Sequence, residues 1–213
     1  MSVTQMSCPH RARNFSYLLT APNDKDCLVI DPSFCYELLI NAITEKNLNL
    51  KYIIHTHEHQ DHVYGTKTLK NIFPEAQIVT HHLGNGELKV ADGDVLEVGE
   101  LDIQIMHTPG HTPEDICLFT EGELFTGDVL FVGKVGGTHD MEAAKTQFNS
   151  LIRLAELPGD TIVYPGHNNG HKPSSTIAEE CAQNPFMVRL NNFSDFWWLK
   201  NNWGSFKEQH GLT

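Results

Sequence analysis

The sequence predicts an α/β domain, on three observations. Short apolar, β-rich runs alternate along the chain with segments of helical periodicity. Glycine, proline and aspartate turns separate them, and no repeat, low-complexity tract or linker divides the chain. The metal-competent residues gather at the ends of apolar runs, where open α/β architectures place their chemistry. A chain of 213 residues with 40% hydrophobic content can bury one substantial core, so residues 1–213 are expected to form a single domain.

Residues 15–20 and 27–30 read as strands joined by the turn-forming Pro22-Asn23-Asp24. Ser33 is placed to cap a helix whose apolar positions, Cys35, Leu38, Leu39, Ala42 and Ile43, fall on one face. Residues 51–54 form a buried strand, and residues 61–70 read as the helix after it. Residues 78–80, 95–98, 101–106, 116–120 and 123–125 are β-rich. Residues 141–157 are helical, with Asp140 as N-cap and Pro158-Gly159 as the stop, and Ile162-Val163-Tyr164 form a further strand. From about residue 177 to 213 the chain is an aromatic-rich helical tail carrying Phe193, Phe196, Trp197, Trp198, Trp203 and Phe206. A terminal helix packed on the core accounts for it, with a substrate lid or dimer contact as the alternatives.

The net charge of −12 argues against nucleic acid or an anionic membrane as partner. No apolar run approaches the roughly 18 residues that span a bilayer, and Arg11 and Arg13 precede no secretory stretch. Five cysteines, odd in number, scattered and without a C-x-x-C, fit a reduced, cytoplasmic setting. Cys27 and Cys117 lie in apolar runs and read as buried thiols.

The most informative stretch is His55-Thr56-His57-Glu58-His59-Gln60-Asp61-His62, which holds the pattern H-x-H-x-D-H directly after the apolar Tyr52-Ile53-Ile54. A solvated polar loop would not need that buried strand before it. Three later segments share one grammar, an apolar run, a glycine and a ligand-type residue: Thr108-Pro109-Gly110-His111, Thr126-Gly127-Asp128 and Pro165-Gly166-His167. One such pair is an ordinary turn; three, all following the octet, point to one site. His57, His59, His62, His111, His167, Asp61 and Asp128 are too many donors for one ion with an open position, and suit two ions sharing a carboxylate. Imidazole and carboxylate without thiolate favour zinc, with iron or manganese as alternatives. Two such ions about 3.5–4 Å apart can hold a bridging hydroxide.

The order H-x-H-x-D-H, T-P-G-H-T, T-G-D, P-G-H resembles the metallo-β-lactamase-fold hydrolases, from about Asn14 to Asn184-Pro185-Phe186. Within them it is most similar to glyoxalase II-type enzymes, the hydroxyacylglutathione hydrolases. The resemblance implies a four-layer αββα sandwich with metals at one edge. It implies that His57, His59 and His111 bind a first metal, that Asp61, His62 and His167 bind a second, and that Asp128 bridges them. The implied reaction is hydrolysis of a small thioester or related ester, with the bridging hydroxide attacking a carbonyl polarised by an ion. Asp61 and Asp128 are then the candidate catalytic carboxylates, Asp61 orienting the nucleophile while it ligates.

Two departures bear on the substrate. Glyoxalase II enzymes carry a Cys-Gly-Arg or Cys-Gly-Lys turn after T-G-D, where this chain has Gly133-Lys134-Val135-Gly136-Gly137-Thr138. Lys134 is the candidate contact for a substrate carboxylate, with a solvent-facing lysine as the plain alternative. The family's helical glutathione-gripping domain is also expected to be largely missing. His55 is read as structural; His81, His82 and His139 as surface residues; and His171 as at most a pocket neighbour.

Other readings remain. A mononuclear iron dioxygenase acting on a persulfide would use His57, His111 and Asp128, although the Arg-Thr-Asp typical of those relatives is Gly137-Thr138-His139 here. A lactonase-type hydrolase would use the same centre. A noncatalytic binding module is expected to have lost ligands, and all seven are present. A flavodiiron-type oxidoreductase is disfavoured because His59 stands where that pattern has glutamate.

Overall fold

The computed structural model describes residues 1–22 and 25–211, so Asn23 and Asp24 of the predicted turn lie outside it. Among the described residues, β1 (Ser2–Ser7), β2 (Phe15–Thr20), β3 (Asp26–Ile30), β4 (Asn49–Ile54), β5 (Gln77–His81) and β6 (Leu88–Val90) form one sheet in that order. Its helices are α1 (Tyr36–Glu45), α2 (Gln60–Val63) and α3 (Thr66–Ile72). The second sheet takes β7 (Val95–Val98), β8 (Leu101–His107), β9 (Ile116–Thr120) and β10 (Glu123–Gly127). After a small hairpin, β11 (Leu130–Phe131) and β12 (Lys134–Val135), it gains β13 (Ile162–Pro165) and β14 (Ser175–Thr176). α4 (Met141–Ala155), α5 (Ile177–Gln183) and α6 (Phe193–His210) complete the order.

Strand alternation builds the layers. Tyr17, Leu19, Leu28 and Ile30 point between the sheets and meet Ile103, Ile105, Leu118 and Phe125 of the second. Their neighbours Leu18, Val29 and Ile53 point outward, under Leu39 and Ile43 of α1 and Leu69 of α3. On the far side Cys117, Leu124 and Val163 pack against Phe148, Leu151 and Leu154 of α4 and Phe196 and Leu199 of α6. Strands buried on both faces read as continuous apolar runs, and the product is an αββα sandwich. Both sheets are mixed: β3, β4, β5 and β6 pair in parallel, as do β10 and β13, and the remaining pairs are antiparallel. No helix among the described residues is long and apolar enough to cross a membrane.

The structure corrects several expectations. Ser33 does not cap α1, which begins at Tyr36 with Cys35 as N-cap and no side-chain cap. Ser33 Oγ instead donates to the Asp61 carbonyl. Leu38 leaves the predicted apolar face and is 47% exposed. The helix expected over residues 61–70 is two helices, because the Gly65 amide donates to the Pro32 carbonyl (2.7 Å) rather than continuing the first. Only glycine fits there, since a Cβ would stand 2.3 Å from that of Tyr36. β1 has only Val3 and Met6 as apolar residues and is held in place by antiparallel pairing with β2. Cys8 and Cys35 form a disulfide, which departs from the reduced setting expected of the cysteines, while Cys27, Cys117 and Cys181 are free.

Asp140 caps α4 as expected, its carboxylate accepting from the Ala143 amide at 2.8 Å. Asp140→Ala should destabilise the fold by about 1 kcal/mol in urea denaturation, the usual worth of an N-cap. An unchanged midpoint would show that α4 is held by packing alone.

Candidate metal centre

β4 runs between its parallel partners β3 and β5, and its buried Ile53 and Ile54 hold its carboxyl end fixed. The chain leaving it is pinned at once: the His55 amide donates to the Val79 carbonyl (3.0 Å) and the Thr56 amide to Asp31 Oδ1 (2.8 Å). His57 follows, His59 is the N-cap of α2, and Asp61 and His62 ride on that short helix. His111 comes from the loop after β8, Asp128 from the end of β10 and His167 from the end of β13. All seven predicted donors converge.

They fall into two groups. His57, His59 and His111 bring ring nitrogens within 4.8 Å of one another, and so do the ligand atoms of Asp61, His62 and His167. Asp128 touches both groups: its carboxylate lies 3.6 Å from His111 Nε2, and 3.3 Å from both His62 Nε2 and His167 Nε2. Glycine makes this approach possible at two points. A Cβ on Gly166 would stand 2.5 Å from Asp128 Oδ1, and one on Gly127, at φ +47°, would stand 2.4 Å from Thr56 Oγ1.

The outer ring nitrogens show which way the lone pairs face. His111 Nδ1 donates to the Gly137 carbonyl (2.9 Å) and His167 Nδ1 to the Ala12 carbonyl (2.7 Å). Carbonyls only accept, so these rings carry the proton at Nδ1 and turn a bare or titratable Nε2 inward. His62 Nδ1 is held by Asp31 Oδ2 (2.9 Å) and His57 Nδ1 meets Thr56 Oγ1 (3.1 Å). Inside, His59 Nδ1 sits 3.0 Å from both His57 Nε2 and His111 Nε2, and the Nε2 atoms of His62 and His167 are 3.1 Å apart. One proton on His59 cannot serve both neighbours; a shared cation can.

The charge balance asks for the same thing. Asp31, Asp61 and Asp128 converge, and among the described residues their ion pairs are to histidines alone. Burial would raise the Asp128 carboxyl, yet His62 and His167 hold it well below the usual carboxylate range. Burial opposes charge on His62, but Asp128 and Asp31 lift it well above an ordinary imidazole. For His57, burial and the neighbouring His62 outweigh Asp128 and Asp31 and push it down to about 3, so it stays neutral. Protons on His62 and His167 occupy positions that a divalent ion would take, and metal binding releases such protons. The donor set therefore fits a pair of metal ions.

Asp31 was missed from the sequence. It has a positive φ of 49°, sits 1% exposed, and grips Thr56 and His62 together. Its signal was there: an apolar run ending in an acid, without the preceding glycine of the other motifs. Asn14 was missed too; its Nδ2 donates to Asp61 Oδ2 at 2.9 Å. Lys134 lies on β12, half-buried, with Nζ 5.2 Å from the Phe131 ring centroid. His55 is tied to Thr66 Oγ1 (2.8 Å), and His81 stacks on His107 with centroids 3.9 Å apart, so neither joins the donor groups.

Two sheets face to face, with donors at strand ends of both, define the αββα metallohydrolase class. The chain belongs to the metallo-beta-lactamase superfamily, whose sequence profile matches residues 12–167. It is 35% identical to a hydroxyacylglutathione hydrolase of Francisella philomiragia over 79% of this chain and 68% of that protein. It is 34% identical to a probable hydroxyacylglutathione hydrolase of Schizosaccharomyces pombe, over 84% and 73% respectively. Among solved structures, ETHE1 from Myxococcus xanthus superposes with a TM-score of 0.86 at 29% identity, covering 95% of this chain and 91% of that one. TTHA1623, solved in a di-iron-bound form, gives 0.72 at 25% identity, over 86% and 99%.

Because Asp31 orients His62 from behind, Asp31→Asn should weaken metal binding by about 10–100-fold in chelator competition. Unchanged affinity would reduce Asp31 to a fold residue.

Proposed function

We propose that the chain is a binuclear metal hydrolase of small thioesters or related esters, akin to its hydroxyacylglutathione hydrolase relatives. The carrying observation is the pair of donor groups sharing Asp128. His57, His59 and His111 would hold one ion, Asp61, His62 and His167 the other, with Asp128 between them. The donors present suit zinc, with iron or manganese as alternatives, because the free cysteines stay outside both groups. Bound there, divalent ions would supply Lewis acidity and lower the pKa of water to about 7.

The chain's own residues do the rest. Asp31, Thr56 and the carbonyls of Gly137 and Ala12 lock the imidazoles so that no reorganisation accompanies reaction. Asp61 is the more open carboxylate, its side chain 32% exposed against 10% for Asp128. Asn14 fixes it through Oδ2, so it is the group placed to accept a proton from water and orient it. A cavity of about 390 Å³ opens over His59 and His111, room for a small acyl group. A thiolate leaves without a strong general acid, and none is needed from the walls.

Elemental analysis of protein purified without chelator should find close to two metal equivalents per chain. His59→Ala and His167→Ala, one from each group, should each lower thioester turnover by more than about 100-fold, the upper end of what an outer-shell change costs. Near-normal turnover in both would sink the binuclear reading. A second reading, a one-iron dioxygenase of persulfides built on His57, His111 and Asp128, draws support from the likeness to ETHE1. About one equivalent, all iron, with oxygen uptake on a persulfide, would establish it instead.

A further inference from the structure

Four of the five donor imidazoles are braced from outside: His57 by Thr56 Oγ1, His62 by Asp31, His111 by the Gly137 carbonyl and His167 by the Ala12 carbonyl. His59 is the exception. Its Nδ1 faces His57 and His111, and among the described residues its outer nitrogen, Nε2, has no partner. The ring is exposed, so packing does not hold it either. The main chain leading to it is equally bare: among the described residues, no amide or carbonyl of His57 or Glu58 is hydrogen bonded. A donor left this free would have to be ordered when an ion binds, at a cost in entropy.

The side chain between the two histidines supplies the missing hold. The Glu58 carboxylate accepts from the Asn85 amide (2.8 Å) through one oxygen and from Asn85 Nδ2 (2.6 Å) through the other. With both oxygens engaged by one residue, its direction is fixed as well as its distance. Asn85 lies in the turn between β5 and β6, and that turn is itself bound to β5. The Gly86 amide donates to Thr80 Oγ1 (2.9 Å), the Gly84 amide to the His81 carbonyl (2.9 Å) and the Glu87 amide to the Ile78 carbonyl (2.8 Å), while Lys89 Nζ donates to the Gly84 carbonyl. Glycine lets the turn lie this close. A Cβ on Gly86 would stand 2.7 Å from the Ile78 carbonyl oxygen, and one on Gly84 2.9 Å from Thr80 Cβ. β5 is the parallel neighbour of β4, which delivers the octet. The first sheet therefore grips the octet twice, through β4 before it and through β5, the turn and Glu58 in the middle of it. A surface pair of this kind often does no more than pin a loop; here the pinned residue is joined directly to the one unbraced donor.

We propose that Glu58, held by Asn85, is the positioning residue for His59 and so sets the affinity of His57, His59 and His111 for their ion. It acts through the main chain, since Glu58 stands outside both donor groups. The proposal rests on the binuclear reading and adds to it a support that only one of the two groups uses.

Cobalt(II) is the probe, followed by its visible absorption in chelator competition. His167→Ala disables the second group and His111→Ala the first, so each can be titrated apart from the other. In the His167→Ala background, Glu58→Ala should weaken cobalt binding by about tenfold, the lower end of what an outer-shell support contributes. It should also change the visible band, because the ligand geometry loosens. In the His111→Ala background the same substitution should leave affinity and spectrum unchanged. Glu58→Gln, whose carboxamide still accepts from the Asn85 amide, should keep most of the affinity, and Asn85→Ala should lose part of it. Unchanged binding by Glu58→Ala at the first group, or an equal loss at both groups, would overturn the proposal. If the wild type meanwhile takes up two cobalt ions and hydrolyses thioesters, the hydrolase reading stands without it. Glu58-dependent cobalt binding with no hydrolysis of any thioester would uphold the positioning role and reject the hydrolase.

Discussion

Three carboxylates and five imidazoles meet at the strand ends with, among the described residues, no lysine or arginine paired to them, and the rest of the structure is arranged around that demand for cations. Such a cluster must be held against its own repulsion until ions arrive, and the fold does so from outside. Asp31 takes two hydrogen bonds from Thr56 and one contact from His62, in a left-handed backbone conformation that few residues adopt. Backbone carbonyls at Ala12 and Gly137 fix two more imidazoles. The two sheets are also stitched together here. The Phe15 amide donates to the Gly166 carbonyl (2.8 Å) and the Tyr17 hydroxyl to the Pro165 carbonyl (2.5 Å), while within the second sheet the Gly166 amide donates to the Gly127 carbonyl (2.7 Å). A displacement of one sheet against the other would therefore move His167 and Asp128 relative to His57 and His62.

This explains the placement of parallel pairing. β3 with β4, and β10 with β13, are neighbours running the same way, so Asp31 and the octet leave one sheet side by side, and Asp128 and His167 leave the other likewise. An antiparallel pair would send its two carboxyl ends to opposite edges. Parallel pairing needs crossovers, and α1 and α4 provide them, burying Leu39 and Ile43 on one side and Leu151 and Leu154 on the other. Packing and site assembly are thus the same act.

Much of this was legible in the sequence because both signals are local. A strand buried on both faces, such as Asp26–Ile30 with its Cys27-Leu28-Val29-Ile30, shows as a continuous apolar run, and a donor aimed over a strand end needs a tight turn, hence Gly110, Gly127 and Gly166. What escaped was set by distant partners. The break at Gly65 depends on Pro32 and Tyr36, the role of Ser33 on the Asp61 carbonyl, and the Cys8–Cys35 bond on β1 lying beside the entry to α1. Asp31 escaped for a different reason. Its geometry was solved by a strained aspartate rather than by a glycine, so it broke the pattern that revealed the others.

The aromatic tail presents two faces that its composition alone does not separate. Phe196 and Leu199, three residues apart, lie on one face of α6 and are fully buried against the helical layer. Trp197 and Lys200, also three apart and one position further round, line a recess of about 360 Å³ beside the loop at residues 131–139 instead. A one-residue offset on a helix is a rotation of about 100°, enough to turn from core to cavity wall. The core row anchors the helix, and Lys200 of the next row adds a tie by donating to the Gly136 carbonyl. The donors at the strand ends are tied more closely, His167 to the Ala12 carbonyl ahead of β2 and Asp61 to Asn14 beside it. In this architecture the donor cluster is therefore the part that cannot change without its own loss, whereas α6 is tied to the fold chiefly through its core row.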